Sequence, residues 1–279
     1  MPLTALKGLT RWCWRWPTVR DVASNPFARQ GRFLDWPHAI PFAHRGGASD
    51  KPENTMAAFE RAVELGYRYL ETDAHVTADG VVLAFHDHVL DRVTDRAGVV
   101  ADLPWSEIKQ ARVDGEPIPL LEDLLGAWPD VRVNIDPKHD AAVRPLVDVL
   151  GRCDAFDRVC IAAFSDRRLT KVRRMTGGRV CTALGPAGIT RLRMASYGAR
   201  TGKFAGGCVQ VPTHVGKRVL VDQRFVDTAH RRNLPVHVWT IDERAQMERL
   251  LDLGVDGIMT DRPTVLKDAL VERGEWVST

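Results

Sequence analysis

Short runs of β-forming residues alternate with longer amphipathic stretches from residue 41 to the end of the chain. This alternation is typical of βαβ units, in which a helix returns the chain to the same edge of a parallel sheet. The segment Thr77-Ala-Asp-Gly80 is too short for a crossover helix, so the strands on either side of it are expected to form a hairpin. The nine predicted strands are residues 42–44, 68–76, 82–86, 131–136, 158–162, 179–182, 207–211, 235–239 and 256–259.

Eight of these strands remain parallel when the return strand of the hairpin is set aside. Eight strands combined with eight helices predict a (β/α)8 TIM barrel, and 279 residues suit a single barrel of this type. Asn54, Asp222 and Asp242 each precede a helical stretch and are expected to act as N-caps. The predicted helices are residues 55–65, 119–126, 141–151, 166–174, 186–196, 222–231, 243–252 and 263–270.

The N-terminal segment differs in composition from the remainder, so we divide the chain into an extension, residues 1–38, and a barrel domain, residues 39–279. The first 33 residues carry six basic side chains against Asp21 alone, although the whole chain has a formal charge of only +3. Tryptophan combined with arginine is typical of a segment that binds an anionic membrane surface. We favour the alternative, in which the indoles pack against the barrel, and membrane binding remains open. The indoles are those of Trp12, Trp14 and Trp16.

Neither interpretation of the extension involves a membrane span. No apolar run reaches the roughly 20 residues that a bilayer requires, and the extension lacks the apolar core of a secretory signal. The cysteines are widely separated and include no CxxC pair, so their spacing predicts neither a zinc site nor a redox site. We expect a cytoplasmic protein, with peripheral membrane contact through residues 1–33 left open. The cysteines are Cys13, Cys153, Cys160, Cys181 and Cys208.

Reactive side chains concentrate in residues 44–87. Two imidazoles can divide the general base and general acid duties, paired carboxylates can hold a hard divalent cation, and a guanidinium can bind phosphate through two hydrogen bonds. This combination is typical of a metal-assisted phosphodiesterase. The motifs are His44-Arg-Gly-Gly47, Glu71-Thr-Asp73 and His86-Asp87.

The predicted barrel provides an independent test of these candidates, because catalytic groups of such barrels lie at the C-terminal ends of the strands. His44 ends the first predicted strand. Glu71 and Asp73 end the second, and Asp136 and Lys138 end the third barrel strand. Residues two apart in a strand share a face, so each of these two pairs can point inward together.

The second histidine reaches the same place through the hairpin. A register in which Val76 opposes Val82 puts His86 across from Thr72, between the two carboxylates of the second strand. A slip of one residue would turn His86 to the other face of the sheet. The prediction of a paired-histidine site therefore depends on this register.

The chain resembles the glycerophosphodiester phosphodiesterases over about residues 41–270. The resemblance implies a TIM barrel with a small insertion near residues 87–118 and hydrolysis of glycerophosphodiesters to glycerol 3-phosphate and an alcohol. It also implies a divalent metal, calcium or magnesium. The motifs that carry it, in family order, are Ala43-His-Arg-Gly46, Pro52-Glu-Asn-Thr55, Glu71-Thr-Asp73, Thr77-Ala-Asp-Gly80, Phe85-His-Asp87, Ile118-Pro-Leu120, Val238-Trp-Thr240 and Gly254-Val-Asp-Gly-Ile-Met-Thr-Asp-Arg-Pro263.

The resemblance implies a role for each matching residue. The family's catalytic pair corresponds to His44 and His86, its metal ligands to Glu71 and Asp73, and its phosphate-binding residues to Arg45 and Lys138. The third metal ligand is usually a glutamate in a Glu-x-Lys motif, whereas this chain has Asp136 in that position. Aspartate is one methylene shorter, so direct ligation there requires the cation to lie nearer the third strand.

Oxygen ligands suit calcium or magnesium rather than a soft metal, which agrees with this implied metal. One histidine would deprotonate the attacking oxygen while the other protonates the leaving one, and we favour His44 as base and His86 as acid. The resemblance implies that the attacking oxygen is the glycerol hydroxyl of the substrate, which gives a cyclic phosphate that water then opens.

Other residues near the predicted rim have mostly structural interpretations. Trp239 ends the seventh barrel strand, where it could cover the glycerol of the substrate or pack in the core. A structural or rim role is favoured for His75. Asp261 is expected to cap the final helix at Pro263.

Three alternative functions can be placed on the same fold. The basic extension is compatible with a lysophospholipase D that acts on lysolipids. Fold alone fixes no function, so a metal-dependent aldolase or isomerase on a generic barrel is a second alternative. The paired rim histidines disfavour it. A non-enzymatic binding module would be expected to lose a histidine or an acidic ligand. We expect a small-molecule partner and no nucleic acid, and the sequence indicates neither the leaving alcohol nor the oligomeric state.

Overall fold

A computed structural model describes residues 32–277. Thirteen strands and nine α-helices are present among them. The strands are β1 (Ile40–Ala43), β2 (Tyr69–Val76), β3 (Val82–Ala84), β4 (Arg112–Val113), β5 (Glu116–Pro117), β6 (Arg132–Pro137), β7 (Val159–Ile161), β8 (Cys181–Thr182), β9 (Val209–Pro212), β10 (His214–Val215), β11 (Arg218–Val219), β12 (Val236–Trp239) and β13 (Gly257–Thr260). The helices are α1 (Met56–Glu64), α2 (Trp105–Ile108), α3 (Leu121–Ala127), α4 (Val143–Arg152), α5 (Asp166–Met175), α6 (Pro186–Ser196), α7 (Gln223–His230), α8 (Arg244–Asp252) and α9 (Pro263–Glu272).

Eight strands form one parallel sheet in the order β8-β7-β6-β2-β1-β13-β12-β9. The two ends of this sheet meet through a parallel bridge between Ala183 and Cys208, beside hydrogen bonds from Leu184 N to Cys208 O (2.8 Å) and from Gly207 N to Thr182 O (2.8 Å). The sheet is therefore closed, and the predicted TIM barrel is confirmed. β3 pairs antiparallel with β2 in the predicted register, with Val76 opposite Val82.

All eight predicted helices form, but only one of the three predicted N-caps is correct. Asp222 caps α7 by accepting a hydrogen bond from Phe225 N at 2.9 Å. The predictions for Asn54 and Asp242 are wrong. Thr55, one residue later, caps α1, and the Asp242 carboxylate accepts from Thr260 Oγ1 and Asp261 N instead.

The small insertion predicted near residues 87–118 follows β3 and contains α2 and the β4–β5 hairpin. It has an apolar cluster of its own, which anchors it to the outer side of the β2–β3 hairpin. This packing fixes the segment that follows His86. The buried members of the cluster are Leu83, Phe85, Leu90, Val100, Ile108, Ala111, Val113 and Ile118.

The last residues of the predicted extension, residues 32–38, contribute to the barrel core. Phe33 and Leu34 are buried inside the N-terminal end of the barrel. The Tyr69 hydroxyl donates to Phe33 O at 2.6 Å, and the two rings meet edge to face with centroids 5.4 Å apart. Trp12, Trp14 and Trp16, on which the membrane-contact prediction rests, lie outside the described residues. Among residues 32–277, no helix combines the length and apolar character needed to cross a bilayer.

Phe33→Ala is expected to lower the free energy of unfolding by about 3–5 kcal/mol, because it leaves a cavity in a fully packed region. Phe164, which is 68% exposed, is the matched control, and Phe164→Ala should change stability by less than about 0.5 kcal/mol. Urea unfolding followed by circular dichroism measures both. Equal midpoints for the two variants would contradict a structural role for residues 32–38.

Candidate active site

A cavity of about 200 Å³ opens at the C-terminal end of the barrel. All eight residues predicted for the site line it, so the strand-end argument correctly placed them together at one end of the barrel. One side of the cavity carries the ionisable groups, and the other side is apolar. The eight residues are His44, Arg45, Glu71, Asp73, His86, Asp136, Lys138 and Trp239.

A tight turn after β1 carries the first two of these side chains. Arg45, Gly46 and Gly47 all have positive φ angles, of 50°, 86° and 93°. A Cβ atom at Gly46 would lie 2.7 Å from the Cβ of Ala58, so only glycine fits against α1 there. The turn directs the Arg45 N–H to Glu71 Oε2 at 3.2 Å, and thereby ties the end of β1 to β2.

His44 lies between two carboxylates. Its Nδ1 is 2.7 Å from Asp261 Oδ1, and its Nε2 is 3.7 Å from Glu71 Oε2. Burial lowers the pKa of His44, but the two acidic neighbours outweigh burial and raise it overall. The prediction that Asp261 caps the last helix is wrong, because Arg262 is the N-cap residue of α9. Asp261 instead holds the His44 ring.

The two acidic residues of β2 are buried and differ in pKa. Burial, with the charge of Asp73 next, raises the pKa of Glu71 to about 7. Burial opposes ionisation of Asp73 as well, but Lys138 and Arg45 outweigh it and lower the pKa of that carboxyl. The Arg45 Nε atom is 3.2 Å from Asp73 Oδ2.

β6 supplies the third carboxylate and a lysine. Asp136 lies directly opposite Asp73 in the β2–β6 register. The Lys138 ammonium bridges the two, at 2.6 Å from Asp73 Oδ1 and 3.0 Å from Asp136 Oδ2. Burial raises the pKa of Asp136, and its other oxygen, Oδ1, is buried without a hydrogen-bond partner.

His86 reaches the site as the hairpin register predicted. The antiparallel pairing continues past β3 with a hydrogen bond from Phe85 N to Asp73 O at 3.0 Å. The His86 Nδ1 atom is 2.5 Å from Asp87 Oδ1, which orients the ring. Asp87 also pairs with Arg92. Burial raises the pKa of Asp87, but the hydrogen bonds from Arg92 and His86 outweigh burial and lower this pKa to about 2.

Several supporting residues around the site have roles that the sequence did not predict. Arg92, from the insertion, also binds Glu53, with Nη2 and Oε1 2.6 Å apart, and Glu53 in turn accepts from Arg45 Nη1 at 3.1 Å. The Asn54 amide lies between Thr72 Oγ1 (2.7 Å) and Asp73 Oδ2 (3.4 Å). A signal was present, since Glu53 and Asn54 belong to the motif Pro52-Glu-Asn-Thr55 of the resemblance.

His75 has the structural role favoured from the sequence. It is buried, and burial lowers its pKa to about 4, so the ring is neutral near pH 7. Its Nε2 donates to the carbonyl oxygen of His86 at 2.9 Å. His75 therefore fixes the backbone that carries the second rim histidine.

The apolar side of the cavity contains Trp239. Its ring meets that of Phe164 edge to face, with centroids 5.6 Å apart. Trp239 thus lines the cavity and also packs against a neighbour, and its contact with the glycerol of a substrate stays a prediction. The remaining apolar lining includes Ala162, Leu184, Pro186 and Ile189.

Comparison with known proteins agrees with this geometry. The model of the glycerophosphoryl diester phosphodiesterase family matches residues 44–265. The chain belongs to this family. It is therefore a phosphodiesterase, and its barrel is the family fold. The chain is similar to a Mycobacterium tuberculosis protein described as "Probable glycerophosphodiester phosphodiesterase 2", with 41% identity over 88% of this chain and 95% of that protein.

Two further relatives extend the comparison of this phosphodiesterase. The human protein "Lysophospholipase D GDPD1" is 26% identical over 82% of this chain and 85% of its own length. The crystal structure of a putative glycerophosphoryl diester phosphodiesterase from Silicibacter pomeroyi has 23% identity and a TM-score of 0.75. That comparison covers 89% of this chain and 99% of the other, and it supports the fold.

Proposed function

We propose that this chain hydrolyses glycerophosphodiesters to glycerol 3-phosphate and an alcohol, with His44 and His86 as the proton-transfer pair. The observation that carries this proposal is the arrangement of the two histidines in one cavity. Each has Nδ1 against a carboxylate, of Asp261 or Asp87, and each has a second nitrogen available to a substrate. Two imidazoles oriented in this way can act as base and acid in one displacement.

We further propose a divalent cation, calcium or magnesium, as the cofactor. Glu71, Asp73 and Asp136 are the residues that would hold it, since they are buried carboxylates on adjacent strands. The unpartnered Oδ1 of Asp136 supports direct ligation by this shorter side chain, because a buried carboxylate oxygen without a partner is costly. Such a cation supplies electrostatic stabilisation of phosphate oxygens.

The surroundings of the two histidines support His44 as base and His86 as acid in the first step. Glu71 and Asp261 flank His44, so they stabilise the imidazolium that forms when it accepts the proton of the attacking hydroxyl. Asp87 holds the His86 ring through Nδ1, so the other nitrogen of that ring is left to face a leaving oxygen. His86 can then give its proton to the departing alkoxide.

Arg45 and Lys138 are proposed to bind the phosphate. Both now neutralise carboxylates, since each lies within 3.2 Å of an oxygen of Asp73. A metal charge on those carboxylates would allow the two cations to turn toward a phosphodiester. The guanidinium would then contact two phosphate oxygens, and the ammonium would act as a point charge.

The first experiment measures glycerol 3-phosphate released from a panel of glycerophosphodiesters by full-length protein. Chelation should abolish turnover, and added magnesium or calcium should restore it. The panel also identifies the preferred alcohol, which neither the fold nor the sequence defines. Full activity in the presence of chelator would contradict the metal requirement. If no substrate of the panel is hydrolysed, a non-enzymatic binding module is favoured.

Asp136→Asn is expected to raise the metal concentration that gives half-maximal activity by at least about 10-fold, because the amide removes one anionic ligand. Asp148→Asn is the matched control, since this residue lies on the exposed face of α4 and pairs with Arg144. Metal titrations of activity compare the two variants with the wild type. An unchanged metal requirement in Asp136→Asn would contradict ligation by this residue.

The apolar side of the cavity favours a second candidate, hydrolysis of lysolipids as in a lysophospholipase D. Phe164 is 68% exposed beside Trp239, where an acyl chain could lie. Lysophospholipids therefore belong in the substrate panel. If turnover of lysolipids exceeds that of the water-soluble diesters and falls in Phe164→Ala, the second candidate replaces the first. If the water-soluble diesters are preferred, it is excluded as the main activity.

A further inference from the structure

Three cysteines far apart in the sequence meet inside the barrel. Cys160 lies in β7, Cys181 in β8, and Cys208 immediately before β9. Their Sγ atoms all lie within 4.8 Å of one another, and those of Cys160 and Cys208 are 3.8 Å apart. All three are free cysteines. The sequence analysis predicted no metal site because it considered only the spacing of the cysteines along the chain. In the closed barrel β8 lies between β7 and β9, so the three cysteines come together.

We propose that Cys160, Cys181 and Cys208 form a binding site for a soft d10 cation such as zinc, separate from the carboxylate site. Zinc binds thiolate sulfur at about 2.3 Å, so two sulfurs of a tetrahedral site lie about 3.8 Å apart. The distance between Cys160 and Cys208 already has this value. The three sulfurs therefore need little movement to close around one ion.

The charges around the cluster fit a bound dication. Three thiolates with one dication carry a net charge of −1. Arg173 lies beside the cluster, where it donates from Nε to Thr182 Oγ1 (2.8 Å) and from Nη2 to Ala183 O (3.0 Å). Its guanidinium, which is held by these two bonds, can balance that charge.

The ionisation of the three thiols also suits a bound cation. The thiols of Cys160 and Cys208 hydrogen-bond to Cys181 and lower its pKa, although burial opposes this, and Arg173 lowers it further. Burial contributes to raising the pKa of both other thiols. Binding of a dication as thiolates would release the protons that the thiols of the cluster hold.

The position of the cluster suggests what the ion would do. β8 and β9 are the strands that close the barrel, and they pair through the Ala183–Cys208 bridge. A metal held by one cysteine from each side of this seam, and by Cys160 of β7, would cross-link it. Cys181 is the least buried of the three cysteines. Binding should therefore stabilise the folded chain.

Cadmium, a thiophilic d10 ion, provides a direct probe, because its thiolate complexes absorb in the ultraviolet. We expect full-length protein in a non-thiol reductant to bind one cadmium ion with a thiolate-to-metal absorption band, which zinc should remove by competition. Excess calcium fills the carboxylate site during the titration. Each of Cys160→Ser, Cys181→Ser and Cys208→Ser should weaken binding by at least 100-fold, whereas the control Cys153→Ser should bind as the wild type does.

The proposal is overturned if wild-type protein gives no such band, or if the band persists in all three cluster variants. Circular dichroism checks the fold of each variant. If the fully buried Cys160 or Cys208 variants fail to fold, the half-buried Cys181→Ser variant decides alone. Thermal unfolding provides the second readout. Zinc should raise the Tm of the wild type and of Cys153→Ser but leave that of Cys181→Ser unchanged, and an equal rise in all three would count against the site.

Discussion

Alanine in place of His44 or His86 is expected to lower kcat on a glycerophosphodiester by about 10²–10⁴-fold, the usual contribution of a general acid or base. The reason is geometric. Both rings line one cavity with Nδ1 held by a carboxylate, so removal of either ring leaves one proton transfer without a partner. Initial rates at saturating substrate and metal measure the loss.

His214→Ala is the matched control for the histidine variants, because this residue of β10 is exposed and its imidazole contacts the hydroxyl of the neighbouring Thr213. Its activity should remain within a few-fold of the wild type. The kcat of the double variant His44→Ala/His86→Ala should be only slightly below that of the less active single variant, since the two groups act in one reaction. If either single variant keeps turnover within a few-fold of the wild type, paired-histidine catalysis is wrong.

The barrel could be predicted because each of its signals is local. The nine strands and eight helices follow from periodicity, and Thr77-Ala-Asp-Gly80 is too short for anything but a hairpin. The register with Val76 opposite Val82 followed from the same turn, and it carries His86 to the carboxylates of β2. These features depend on residues close together in the chain.

Asp261 shows where local reasoning failed. A polar residue two positions before Pro263 has the pattern of a helix cap, and that pattern concealed its neighbour in space. β13 pairs with β1 so that Thr260 lies opposite Ala43. The next residues along the two strands are Asp261 and His44. A closed barrel brings its last strand beside its first, so the predicted fold already implied that Asp261 and His44 lie close together.

Local sequence patterns also fail to predict contacts between other elements. The insertion reaches the site through Arg92, which binds both Asp87 and Glu53. No periodicity indicates such a contact, because it depends on how an irregular segment packs. The cysteine cluster was missed for the reason that concealed Asp261, since β8, which contains Cys181, and β9, which follows Cys208, become neighbours only when the barrel closes.

Asp261→Asn is expected to lower kcat by about 10²–10⁴-fold while leaving the fold intact. The carboxylate accepts from His44 Nδ1 at 2.7 Å, so it selects the ring tautomer whose Nε2 is available as a base. It also stabilises the imidazolium that forms during the reaction. Asparagine keeps the shape but removes the charge, and its amide can present a donor where an acceptor is needed.

The pH profile distinguishes this positioning role from a merely structural one. Asp261 helps to raise the pKa of His44, so its loss lowers that pKa. A base must be neutral, and a lower pKa keeps His44 neutral in more acidic solution. The acidic limb of kcat/KM should therefore move to lower pH in Asp261→Asn. It should stay in place in the control Asp252→Asn, whose exposed carboxylate pairs with Arg273 far from the cavity. A lower rate with an unmoved limb would show that Asp261 acts only on structure.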